Sequence, residues 1–179
     1  GAEFILIPCN TSHYFYDEIV KMTNADIINM PLVTSDFVAK KGLKRICVLA
    51  TTGTIQSNVY KNALENFGIE AINPSLAGQK QVMDIIYNDI KAGRPTDTKA
   101  FRKLLQREKH LSGAEAFILG CTELSLAIKE MPLDILNSFK FIDPLVINAC
   151  HCVTACGKEL TEEAENILRG LRQKYEAHH

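Results

Sequence analysis

Two cysteines sit in settings that repeat each other. One lies in Ile5-Leu6-Ile7-Pro8-Cys9-Asn10-Thr11 and the other in Phe117-Ile118-Leu119-Gly120-Cys121-Thr122-Glu123. Each is an apolar run, then Pro or Gly, then Cys with a Thr close behind, then a helical pattern. A repeated α/β unit would set the two thiols face to face across a cleft. Such a pair suits inversion of a stereocentre without a cofactor. One thiolate removes a proton from carbon, the opposite thiol returns one to the other face, and the roles exchange between the two enantiomers. A free thiol has a pKa of about 8.5, lowered at helix N-termini. The N–H groups of the following helices are therefore expected to favour thiolate and to hold a substrate carboxylate. Asn10, Thr11 and Thr122 add donors. Either cysteine alone reads equally well as a buried strand-end thiol; the repetition carries the argument.

A third turn, Ala50-Thr51-Thr52-Gly53-Thr54, clusters three hydroxyls around a glycine. Gly53 permits close backbone approach to a ligand. Thr-Gly turns are common, so the weight comes from position: this turn lies between the two cysteine motifs and is expected to line the same cleft.

The elements that must position these residues alternate. Phe4–Ile7, Asp26–Asn29, Arg45–Ala50, Ile69–Ile72, Glu115–Leu119 and Phe141–Ile142 read as strands. Helical patterns follow them: Tyr16–Met22, Thr34–Lys41 stopped by Gly42, Ser57–Phe67 stopped by Gly68, Gln79–Ala92, Ala100–Leu111, one from Thr122 and one after Asp143-Pro144. A tail helix begins at Thr161, with Glu162 and Glu163 in its first turn and an apolar face from Leu160 to Tyr175. Strands alternating with helices mean an α/β fold with parallel sheets, and such sheets bind ligands beyond the carboxyl ends of their strands. All three turns above lie there.

Composition bounds the rest. The 179 residues carry 23% charged and 46% hydrophobic residues and a formal net charge of -1, ordinary globular values. No basic stripe points to nucleic acid, and the apolar runs are strand-sized, too short for a membrane helix. Gly1–Ile7 lacks the pattern of a signal peptide, so a cytoplasmic location is expected. The six cysteines are then expected to be reduced. Cys150-His151-Cys152 with Cys156 lacks paired zinc-knuckle spacing, so no metal is assigned and these residues read as part of a helix.

Taken together, Pro8-Cys9-Asn10-Thr11-Ser12-His13-Tyr14-Phe15-Tyr16, Ala50-Thr51-Thr52-Gly53-Thr54, Ile86-Tyr87 with Ile90-Lys91-Ala92-Gly93, and Gly120-Cys121-Thr122-Glu123-Leu124 resemble the aspartate/glutamate racemase family. They occur in that family's order over nearly the whole chain. The resemblance implies two similar parallel-sheet α/β domains around the active site, and Cys9 and Cys121 as an acid–base pair needing neither pyridoxal phosphate nor metal. It implies substrate binding by Asn10, Thr11, Thr51, Thr52, Thr54 and Thr122, and Lys91 reaching an acidic side chain. It implies Glu123 as a further substrate contact; this residue stands where typical glutamate racemases have His, which favours the aspartate branch. His13 is expected to be structural.

Family members begin earlier, with a strand, a glycine-rich turn and about two βα units that carry an arginine for the distal carboxylate. On that comparison residues 1–35 are a partial first domain, 36–140 a complete second one, and 141–179 a return to the first. An exposed sheet edge and a homodimer covering it are expected. The expected partner is an acidic amino acid. The readings left open are a related racemase or isomerase of broad-specificity, hydantoin or maleate type, and a catalytically impaired remnant acting as a binding protein.

Overall fold

The computed structural model of the chain describes residues 1–170. Six strands and their helices follow the expected alternation. They are β1 (Phe4–Leu6), α1 (Tyr16–Ile19), β2 (Asp26–Ile28), α2 (Met30–Lys40), β3 (Arg45–Leu49), α3 (Thr52–Gln56), α4 (Val59–Glu65), β4 (Glu70–Ile72) and α5 (Leu76–Asp84), then α6 (Thr98–Ser112), β5 (Ala116–Leu119), α7 (Thr122–Ala127), α8 (Leu133–Ser138), β6 (Phe141–Ile142), α9 (Pro144–Ala155) and α10 (Glu162–Gly170).

All strand pairings are parallel. β1 pairs with β2, and a four-stranded sheet has the order β4-β3-β5-β6. That sheet takes in Phe141–Ile142, one element beyond the expected break at residue 140. Alternation along its central strands splits the core into two layers. Cys47, Leu49, Phe117 and Leu119 face α5–α8. Ile46, Val48, Ala116 and Ile118 face α2, α4 and α9. Both faces are covered, so β3 and β5 read as near-continuous apolar runs. Each Leu, Ile, Val or Phe among them contributes roughly 1.5–3 kcal/mol by leaving water. β1 is only half-buried along its length.

The helix boundaries show where local chemistry overrode periodicity. α2 starts at Met30, not Thr34, because Asn29 caps it: its Oδ1 accepts from Leu32 N–H at 3.0 Å, and Pro31 sits in the first turn. The expected helix Ser57–Phe67 runs from Val59 to Glu65, and the additional α3 is set off from it by Asn58, which adopts a left-handed φ of 57°. The segment after Cys9 is largely 3₁₀ (Thr11–Phe15 and Val20–Met22) around the short α1. α5 passes into a π-helix, Ile85–Ile90, in which Lys91 N–H bonds back to Ile86 O at 3.0 Å. Helix α8 is an addition; its six residues are too few to show a period. Thr161 does open the tail helix, its Oγ1 accepting from Ala164 N–H at 3.2 Å; the expected continuation through Leu171 and Tyr175 lies outside the described residues. Among the described residues, no helix is long and apolar enough to cross a membrane.

Candidate active site

The order β4-β3-β5-β6 contains a switch point. From β3 the chain moves outward to β4, then returns to the other side of β3 as β5. A crevice opens at the carboxyl ends of two strands diverging this way. Leu49 pairs with Leu119, so β3 and β5 end at the same level. Thr51–Thr54 and Gly120–Thr122 leave the sheet side by side.

Gly120 is glycine because its neighbours leave no room. A Cβ there would sit 2.9 Å from Ala50 Cβ, 3.1 Å from Leu49 O and 3.4 Å from Tyr60 Cε2. Its N–H donates to Leu49 O at 2.7 Å, extending the ladder by one bond. Cys121 then opens α7. Its Sγ donates to Glu123 Oε2 at 2.8 Å, and Thr122 Oγ1 donates to the same oxygen at 3.0 Å. Lys91 Nζ lies 3.6 Å from Glu123 Oε1 and 4.7 Å over the Tyr87 ring, at the end of the π-helix. Cys121, Thr122, Glu123 and Lys91 thus form one cluster.

Its electrostatics correct one expectation. The Glu123 backbone N–H at the start of α7 does favour thiolate at Cys121, as does the charge of Lys91, but both are outweighed. Burial first, and then the hydrogen bond and charge of Glu123, push that thiol up to about 12. Burial also raises the Glu123 carboxyl, but the bonds from Cys121, its own backbone N–H and Thr122, with the charge of Lys91, outweigh it and hold it below the usual range. Cys121 is therefore a proton donor at rest. Glu123, expected as a substrate contact, is engaged with the thiol.

Cys9 reaches its place differently. Pro8 centres a tight turn in which Cys9 N–H donates to Ile7 O at 2.8 Å, and the cysteine is exposed. The next residues bind across to the larger sheet's helices. Buried Asn10 accepts from the hydroxyl of Tyr60 on α4 through Oδ1. Thr11 Oγ1 lies 2.6 Å from Thr54 Oγ1 on α3, itself 3.0 Å from Thr51 Oγ1. Tyr60 therefore stands beside a neighbour of each cysteine: its hydroxyl donates to Asn10, and its ring edge lies 3.4 Å from where a Cβ on Gly120 would be. Asn10 and Thr54 are interior, with these oxygens taken by protein partners. Thr52 is partly exposed. Its N–H donates to Met83 Sδ at 3.3 Å, and Gln79 Nε2 lies 3.4 Å from its hydroxyl. Sequence reasoning missed Tyr60, Gln79 and Met83. In amphipathic helices they read as packing residues, and the one available hint is that a buried tyrosine hydroxyl needs a partner.

The remaining cysteines are distributed elsewhere. Cys47 lies in the core, where burial pushes its thiol up to about 12. Cys150, Cys152 and Cys156 follow along α9 and its end. Among the described residues no three His, Cys, Asp or Glu side chains are grouped to hold a metal ion.

Comparison with known proteins decides the lineage. Residues 1–152 match the profile described as Asp/Glu/hydantoin racemase. The chain belongs to that family. It is 28% identical over 137 residues to the broad-specificity amino-acid racemase RacX of Bacillus subtilis, a match covering 75% of this chain and 58% of that one. Its fold matches Picrophilus torridus aspartate racemase with TM-score 0.71 and 26% identity, covering 91% of this chain and 66% of the other. A putative Asp/Glu racemase from Yersinia pestis matches with TM-score 0.75 and 25% identity, covering 88% and 68%. The chain thus spans about six tenths of RacX and two thirds of the two structures.

Proposed function

We propose that the chain racemises a free amino acid, foremost an acidic one, without pyridoxal phosphate or metal, using Cys9 and Cys121 as the paired base and acid. The observation that carries this reading is the Cys121–Glu123 contact of 2.8 Å at the end of a central strand, on a turn that shares Tyr60 with the Cys9 turn. In one direction Cys9 takes the α-proton as Cys121 delivers its own to the opposite face. In the other, Cys121 must first give up its proton, and Glu123 is placed to accept it. Thr52, Thr122 and Lys91, none of them buried, hold the substrate. Asn10 and Thr54 hold the Cys9 turn.

The test is α-proton exchange in D₂O, followed by NMR on L-aspartate and L-glutamate beside L-alanine and L-arginine. Loss of the α-proton signal is expected for the acidic substrates, slowed at least about a hundredfold in both Cys9→Ser and Cys121→Ser, the low end of proton-transfer contributions. Full exchange in either variant sinks the two-thiol reading. A second reading, broad specificity, is favoured by the pairing of Lys91 with Glu123, which leaves less of its charge for a substrate carboxylate. Faster exchange of alanine or arginine than of aspartate would establish it.

A further inference from the structure

We infer that His13 is the positioning residue of the Cys9 turn. The inference rests on the two-thiol reading, in which a proton-transfer thiol on an exposed turn must be held still. His13 is buried within the 3₁₀ segment after Cys9. Its Nδ1 lies 2.9 Å from Cys9 O, and its Nε2 lies 3.1 Å from the backbone nitrogen of Met30.

The Met30 N–H is a donor, so Nε2 accepts and carries no proton. The ring proton is then on Nδ1 and donates to the Cys9 carbonyl. This tautomer leaves the 3.4 Å approach of Nε2 to Ile28 O without a hydrogen, so it is a packing contact. One neutral imidazole therefore joins the carbonyl of Cys9, beyond β1, to the first residue of α2, beyond β2. The hydroxyl of Tyr16, whose ring stacks on His13 with centroids 6.2 Å apart, donates to Ile27 O at 2.8 Å and closes the same corner.

Three consecutive residues are thus fixed from three directions: Cys9 by His13, Asn10 by Tyr60, and Thr11 by Thr54. The last two ties hold side chains that follow the thiol. The His13 bond acts on the peptide plane of Cys9 itself, whose rotation swings the Cα–Cβ bond. His13 is buried and fully committed to backbone partners, so its part is to orient and not to exchange protons with substrate.

The two ring nitrogens are separable by substitution. His13→Asn places an amide N–H near the position of Nδ1 and keeps the bond to Cys9 O. His13→Gln places an amide oxygen near Nε2 and keeps only the Met30 bond. Two readouts are taken on the full chain: the backbone order parameter at Cys9 and Asn10 by NMR, and kcat and KM for α-proton exchange. In the parent and His13→Asn the order parameter is expected near 0.85, the rigid-backbone value, and in His13→Gln below about 0.6. With it kcat falls by about tenfold or more in His13→Gln while KM holds within about threefold, because a misplaced reacting group loses rate before it loses binding. Equal behaviour of the Asn and Gln variants in both readouts overturns the inference. If the cysteine variants show that the two-thiol reading fails, the order parameter still decides whether His13 fixes the turn: an unchanged value at Cys9 in His13→Gln refutes it.

Discussion

At Cys121 the proton is held by two forces of different origin, and they can be separated. Burial acts first, and the Glu123 carboxylate adds to it. Folding raises this pKa, so its contribution to stability is full below the ordinary thiol value of about 8.5 and is lost as pH climbs towards about 12. Glu123 has the opposite sign: its pKa is lowered, so its contribution is present above the ordinary carboxylate range and is lost on acidification. Glu123→Gln removes the negative charge but not the burial. Labelling of Cys121 by iodoacetamide, read by peptide mass spectrometry across pH, should therefore begin at lower pH in the variant. An unmoved or higher onset would show that Glu123 does not hold the proton. The residue types were legible in the sequence: both cysteines, the threonine turn and Lys91 fall at strand or helix ends that pattern reading located. Their partners were not. That Glu123 would turn onto the thiol two residues before it depends on a side-chain rotamer, and that Tyr60 would clasp the other turn, or His13 tie it to Met30, depends on contacts between elements far apart in the chain.

Two glycines separate what the elements need from what a ligand needs. Gly120 is demanded by the protein, since its Cβ would press on Ala50 and the Leu49 carbonyl. Gly120→Ala should destabilise by about 1–3 kcal/mol, the usual range for overpacking, seen as a lower denaturation midpoint at unchanged slope. Gly53 is not demanded: the nearest atoms to a Cβ there are Thr11 Cγ2 at 3.8 Å and Thr51 Oγ1 at 4.0 Å. It lies within α3, so Gly53→Ala should leave stability unchanged or raise it by up to about 1 kcal/mol. If a ligand approaches this backbone, the same variant loses affinity. A variant that is more stable and turns over as before would remove Gly53 from the site. Helix existence was readable from apolar period and glycine stops. Helix starts were less so: Asn29 and Asp97 each cap a helix by accepting backbone N–H bonds at its start, ahead of the first residue of the apolar period.

For the whole molecule, parallel β structure followed from alternation, whereas strand order could not: β3 and β5 become neighbours only once β4 has been laid on the outside. The small sheet is the less finished part. β1 and β2 have only each other as strand partners among the described residues, and β1 is half-buried throughout. Such an edge pairs with further chain or with a second copy. Light scattering of the chain is expected to report a dimer, and Ile5→Lys, on β1, to shift it towards monomer by placing charge on that strand. A monomer at high concentration with unchanged β1 would show that the edge needs no cover.

The wide turn at Ile85–Ile90 has a consequence for divergence within the family. A π turn contains about one residue more than the α turn it replaces, so it behaves as a single-codon insertion absorbed without breaking the helix. Deleting exposed Asn88 would let the segment relax to α geometry, and Lys91, then four residues after Ile86, would bond to the same Ile86 carbonyl and keep its place beside Glu123. The shortened chain should melt higher and keep its preference among substrates. Relatives should then differ in the length of this one helix without differing in substrate.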